Sequence, residues 1–332
     1  MTGWCAEDQP DQSDPYGDAM AGRKLSAKAV SDLESRVAGH PDDLSARTML
    51  LGYYFMGRAA SPDARLGRRK HVLWIIKNRP EAQIAGLPYC GMDAVLDLDG
   101  YNEAKQLWLE QTRAHAQNAT ILGHAAQFVS IQDQRLAEDL LKQAQKAEPD
   151  NPQWSEQLGQ LYSRQPGNDA AVKSLAEYER AQAADDSEMS RFYRLDDLAK
   201  SAFNAGEMKK ASEFAFELLK VAHKYSGDWN YGNAIQDANS VLGRIALKAG
   251  DTKKADEYLL KAGQTPGSPQ LGSFGPNMSL AKEILEKGER DIVLQYLGLC
   301  RKFWKMGGER LNAWTEEVKA GRIPDFGANL AY

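Results

Sequence analysis

Five histidines (His40, His71, His115, His124 and His223) and three cysteines (Cys5, Cys90 and Cys300) are the side chains best suited to hold a metal or attack a substrate. Their spacing supports neither role. No histidine pair stands in an HExxH arrangement, and cysteines so scattered and odd in number make neither a zinc site nor a disulfide framework. Carboxylates one helical turn apart, such as Glu213 and Glu217, are what any exposed helix face carries. No phosphate cradle of the GxxxxGKS/T or GxGxxG type occurs. Gly272-Ser273-Phe274-Gly275 lacks the GxSxG spacing of a nucleophile elbow and has no strand before it. Asn118-Ala119-Thr120 is a glycosylation sequon, which matters only in an exported eukaryotic chain. On this reading the chain is not an enzyme, and neither cofactor nor metal is expected.

Other side chains could bind rather than react. Seven Trp and 13 Tyr would suit base stacking, but Trp74, Trp108 and Trp304 fall among Leu, Ile and Phe at helical spacing and read as core. The run Arg65, Arg68, Arg69 and Lys70 reads as a solvated helix face. The 332 residues carry 41 Lys+Arg against 46 Asp+Glu, a net charge of −5 that argues against a surface built to neutralise phosphate backbones. Nucleic acid is therefore not an expected partner. From Arg191 onward 21 basic residues face 18 acidic ones, so the second half is mildly basic and leans toward an acidic partner. No apolar run approaches the ~20 residues that span a bilayer, and the start of the chain has no basic, apolar leader; a cytoplasmic protein is expected, with an exported form left open.

The elements that must position these residues are helices. From Lys24 onward Ala, Leu, Glu, Lys and Gln recur at helical spacing, without sustained alternation, and the pattern predicts about fourteen helices of roughly 11 to 17 residues. Ser61-Pro62 and Asn151-Pro152 each set a capping side chain before a proline at the first helical position. Gly206, Gly250 and Gly288 stand where a helix must end and a tight turn follow.

The chain also repeats itself. Leu198, Leu242 and Leu280 are each followed by a small residue (Ala199, Gly243, Ala281) and by a glycine eight positions on. Then come Ala211, Ala255 and Val293; Ala215, Leu259 and Leu297; and Leu218, Ala262 and Cys300. The units lie 44 and 38 residues apart. Two more begin at Leu122-Gly123 and Leu158-Gly159, and a sixth at Leu51-Gly52, while Ala104 and Trp108 belong to a unit whose first helix is blurred. One helix pair cannot bury both its apolar faces, so neighbours must stack.

The order Leu-Gly-x-x-Tyr, then Ala-x-x-x-aromatic, then Ala, then Pro resembles the tetratricopeptide repeat (TPR), best at Leu158 to Tyr162 and Ala137 to Pro149. The resemblance covers about residues 45 to 305, with units longer than the family's 34 residues. It implies an all-α fold, a right-handed α-solenoid of TPR-like helix hairpins. It also implies that residues two and six positions after the repeated Leu line a concave groove. Those are Lys200 and Asn204, Arg244 and Lys248, and Lys282 and Glu286, with Tyr53, His124, Gln127 and Gln160 upstream. Lys200, Arg244 and Lys282 would form a row able to hold an acidic peptide or a C-terminal carboxylate.

Three regions are expected: a flexible acidic tail over 1–22, the TPR-like domain over 23–320, and an extended tail over 321–332 that packs back on the repeats or into a partner. Gly263 to Pro276, with four Gly and three Pro, is expected to be a long loop. The leading functional expectation is a non-catalytic protein- or peptide-binding scaffold; the alternative is an architectural subunit docked permanently in a larger assembly.

Overall fold

The computed structural model describes residues 14–330, all helix and connection with no strand among the described residues. The chain forms two compact units, Met1–Pro149 and Asp150–Tyr332. The first holds helices α1 (Pro15–Gly22), α2 (Ala27–Gly39), α3 (Leu44–Gly57), α4 (Pro62–Asn78), α5 (Leu98–Ala114), α6 (Ala119–Val129) and α7 (Gln134–Ala147). The second holds α8 (Pro152–Ser163), α9 (Asn168–Ala184), α10 (Glu188–Asn204), α11 (Met208–Ala222), α12 (Tyr231–Lys248) and α13 (Thr252–Gly263). It continues with α14 (Pro269–Phe274), α15 (Ser279–Glu286), α16 (Arg290–Phe303) and α17 (Gly308–Lys319).

Local chemistry starts and stops these helices where the sequence marks it. The Ser61 hydroxyl accepts from the Ala64 amide at 3.2 Å ahead of α4, and the Asn151 side chain accepts from Gln153 at 3.1 Å ahead of α8. Gly206, Gly250 and Gly288 adopt φ of 85°, 84° and 91°, the left-handed turn that links α10 to α11, α12 to α13 and α15 to α16. Every apolar position of the aligned repeats, from Leu198, Leu242 and Leu280 to Leu218, Ala262 and Cys300, is at most 3% exposed. These residues form one continuous core through the second unit. Each buried Leu there is worth ~1.5–3 kcal/mol, so the repeat is also the energetic backbone of that unit. The small residue after the repeated Leu has a reason as well: a Cβ on Gly243 would come within 2.4 Å of Leu280 Cδ2, across the α12–α15 crossing.

Several expectations change. Residues 15–22, expected in the tail, form α1, which lies backbone to backbone on α3. A Cβ on Gly22 would meet Met49 O at 1.9 Å, and one on Gly52 would meet Ala19 O at 1.9 Å. Residues 1–13 of the expected tail lie outside the described residues. The Gly/Pro segment is not wholly loop: α14 forms inside it, capped by Ser268 Oγ. It is fastened to α12 by Thr265 Oγ1 on Gly232 O at 2.7 Å and by Ser268 Oγ on Asn233 Oδ1 at 2.6 Å.

The segment 321–330 packs back on the second unit. Phe326 is buried, and Asn329 Nδ2 donates to Phe274 O and Pro276 O, both at 3.0 Å.

The basic run on α4 is not a solvated face. Arg68 is buried under the 79–97 connection and donates to Tyr89 O and Gly91 O. Arg69 forks onto Asp97, and Lys70 pairs with Glu34 at 2.7 Å. Trp108 and Trp304 are core as expected, while Trp74 is half-buried under the Arg47 guanidinium, 3.8 Å from the ring centroid.

Candidate peptide-binding groove

The first helices of the second unit's hairpins are α8, α10, α12 and α15. On α8, Gln153, Glu156, Gln157 and Gln160 stand at positions i, i+3, i+4 and i+7, which places them on one face. On α10, Ser190, Tyr193, Arg194 and Asp197 repeat the same interval. The two stripes line an open cavity of about 470 Å³, with Tyr178 of α9 reaching in from behind. Of these, only Gln160 was named as a groove residue from sequence.

Arg194 ties the stripes together. It is buried, and its guanidinium meets Glu156 Oε1 at 2.7 Å, Gln182 Oε1 at 3.1 Å and Asp185 O at 2.9 Å. Tyr193 stands at the edge: its hydroxyl donates to Asp228 at 2.7 Å, and its ring stacks on the exposed Trp229 with centroids 5.9 Å apart. Burial lifts the Asp197 carboxyl to about 8, with the Asp196 charge adding to the rise and Lys200 opposing it. Burial likewise raises the Tyr178 phenol, reinforced by Asp197 and Asp196.

Lys200, Arg244 and Lys282, the row expected to hold an acidic segment, each stand beside a carboxylate of the chain itself. Lys200 reaches Asp237 on α12 at 3.1 Å and Asp196 at 3.4 Å. Burial works against its charge, but Asp237, Asp196 and Asp197 together hold its pKa above the lysine range. Arg244 reaches Glu283 on α15 at 2.7 Å and lies over the Phe203 ring, 4.3 Å from the centroid. Lys282 pairs with Glu286 on its own helix, at 3.8 Å. Adjacent first helices are thus laced by Arg194–Glu156, Lys200–Asp237 and Arg244–Glu283, because each helix sets a carboxylate opposite its neighbour's cation. Asn204 and Lys248 remain exposed, with the Lys248 ammonium 4.5 Å from the Phe203 centroid.

Tyr53, His124 and Gln127 belong to the first unit. Tyr53 packs on the α2–α3 core and edge-on to Tyr54. His124 is engaged by the chain itself: Nδ1 meets Pro80 O at 2.9 Å, Trp108 packs edge-on to the ring, and burial lowers its pKa. Gln127 is exposed. The sequence signal for the cavity was available in the matching intervals on α8 and α10, but those residues, Gln160 apart, fall off the family's groove positions.

Among the described residues, no group of His, Cys, Asp and Glu could hold a metal ion, and no helix is long and apolar enough to cross a membrane.

This geometry defines an all-α helical-repeat fold of stacked hairpins, and comparison with solved structures bears out that fold. Thirty-seven chains of known structure resemble this one. The crystal structure of yeast Tom70 aligns at 14% identity and a TM-score of 0.52 over 94% of this chain. The present chain spans 66% of that structure's length. The crystal structure of the P58(IPK) TPR domain aligns at 14% identity over 93% of this chain and 98% of its own, with a TM-score of 0.27. No family model and no curated protein matches.

Proposed function

We propose that the chain is a non-catalytic protein-interaction scaffold that holds an extended polypeptide segment against the first helices of its second unit. The observation that carries this reading is the pair of matching side-chain stripes on α8 and α10 around an open cavity of about 470 Å³. Gln153, Gln157 and Gln160 each offer an amide that both donates and accepts, which suits a peptide backbone whose N–H and C=O alternate. Tyr193 and Trp229 add a flat apolar wall beside them. An acidic end of the segment runs toward Asn204, Lys248 and Lys282, the polar groove positions least committed within the fold. Lys200 and Arg244 have a different part: they hold the helices in place and set the surface the peptide meets.

A photo-crosslinking residue placed at Gln157, and separately at Val172 on the exposed side of α9, tests the location. Polypeptide captured at position 157 and not at 172 supports the groove; equal capture at both refutes it. The acidic end is checked by fluorescence anisotropy with a labelled peptide ending in Asp and Glu. Lys248→Glu with Lys282→Glu should weaken binding at least about tenfold, the worth of one charge-assisted bond, and Lys253→Glu should not. An architectural subunit would instead purify only with a fixed companion and show no exchange of added peptide.

A further inference from the structure

The first unit holds a polar cluster that the groove does not use, built around a histidine whose spacing in the sequence offered it no role. His71 of α4 is fully buried, yet charge stands on both of its ring nitrogens. Glu34 of α2 meets one, Oε1 to Nε2 at 2.9 Å. Arg47 of α3 meets the other, Nη1 to Nδ1 at 3.2 Å. Tyr54 of α3 stacks on the ring, centroids 6.1 Å apart, and its hydroxyl donates to the same Glu34 oxygen at 2.8 Å. Lys70, beside the histidine on α4, donates to the second Glu34 oxygen at 2.7 Å.

A guanidinium can only donate. Nδ1 must therefore offer its lone pair to Arg47, and the ring proton must sit on Nε2, where it points at Glu34. The contacts fix one tautomer of a neutral ring. A second proton has only Nδ1 to go to, and there it would aim an N–H at the buried Arg47 guanidinium. Two donors facing each other out of reach of water cannot both stay. Burial, with the Arg47 and Lys70 charges, holds His71 below the usual imidazole range against the pull of Glu34.

Arg47 is the partner that gives way. A charged His71 is held harder by Glu34, which stays ionised: burial opposes its charge, but the bonds from Lys70, His71 and Tyr54 hold its carboxyl down at about 2. Arg47 has two further contacts that move with it. Its Nε donates to Pro41 O at 2.8 Å, and its guanidinium lies over Trp74, 3.8 Å from the ring centroid. Burial works against its charge, while Glu34, Asp42 and Asp43 favour it. We propose that this cluster is an acid-sensitive latch: a proton taken from solvent by His71 Nδ1 drives Arg47 off the ring, off Trp74 and off the Pro41 carbonyl, loosening the 40–43 turn between α2 and α3 while Glu34 keeps α2 on α4.

The full chain, labelled with nitrogen-15 in its histidine rings and tryptophan indoles, is followed by NMR from neutral pH downward, with His71→Gln and Trp74→Phe assigning the two signals. His71 should show the neutral ring protonated on Nε2 and titrate once, below the ordinary value of about 6.5. The Trp74 indole should move with the same midpoint while far-ultraviolet dichroism holds steady. Arg47→Met should raise the His71 midpoint by about one pH unit, a tenfold gain in proton affinity, and remove the indole step. The titration of the unsubstituted chain decides the matter even where that variant does not fold. A ring protonated on Nδ1, a midpoint at or above the ordinary value, a His71 titration that Trp74 does not follow, or unfolding of the chain before His71 titrates would overturn the proposal. So would an indole step that survives in a folded Arg47→Met.

Discussion

Asp197→Asn should make the protein more stable, and by an amount that grows with pH. In the fold the carboxyl titrates at about 8, raised by burial and by Asp196; in the unfolded chain it returns to about 4. Between those values the native state keeps a proton that the unfolded state has lost. Stability therefore falls as pH rises through that window, at most tenfold in the folding equilibrium for each pH unit, and levels off above the folded value. The asparagine is isosteric, stays neutral, and still accepts the Tyr178 phenol. The gain of the variant over the wild type should then increase from pH 5 to pH 8, with about a hundredfold between pH 5 and pH 7 as its ceiling. The neighbouring Asp237, also raised by burial against the pull of Lys200, shares the same cluster and keeps part of the pH dependence in both proteins. Urea unfolding followed by far-ultraviolet dichroism at each pH measures the difference. A gain that is flat across this range, or that shrinks as pH rises, refutes the picture of a buried carboxyl held neutral on the groove wall.

Two glycines separate backbone strain from crowding. Gly206→Ala, at φ of 85° with open space around it, should cost about 1 kcal/mol in urea unfolding, whereas Gly232→Ala drives a Cβ to 1.9 Å from Gly267 O and should cost about 3 kcal/mol or more. Arg194→Met removes the donor held by Glu156, Gln182 and the Asp185 carbonyl and should destabilise by about 2–3 kcal/mol, with Glu156→Gln much milder because that carboxylate is 43% exposed; denaturation midpoints rank the two. Asn329→Ala leaves Phe274 O and Pro276 O without that donor and should cost about 1–3 kcal/mol, with faster proteolysis inside 263–278 as the local readout.

The fold was legible because its signals are local. A left-handed glycine after Phe203-Asn204-Ala205, a serine before Pro62 and a small residue beside a repeated Leu each act within a few residues, and the repetition adds them up. The first eight described helical residues were not legible. Their packing rests on Gly22 and Gly52 letting two backbones meet, a reason that exists only once α1 and α3 are side by side. Charge was harder still. Lys200 and Arg244 were singled out by their place in the repeat, yet their partners Asp237 and Glu283 come 37 and 39 residues later in the chain. Spacing along one helix cannot reveal a carboxylate on the next. The same holds for Arg68, whose acceptors are carbonyls of a connection that carries no periodic pattern. The cavity between α8 and α10 lay in between: each stripe was readable alone, but only the crossing of the two helices makes them face each other.

The clasp at Asn329 bears on how this protein is made. It grips carbonyls 55 and 53 residues earlier, and its own carbonyl receives the Met278 amide at 2.8 Å just before α15 begins. A chain cut between the end of α17 and that asparagine would keep α15, α16 and α17 while the Phe274–Met278 bend stayed unfastened at this clasp. The clasp is therefore supplied only by residues that follow α17 in the chain, and a product cut just before them would announce itself by that one open bend rather than by lost helix.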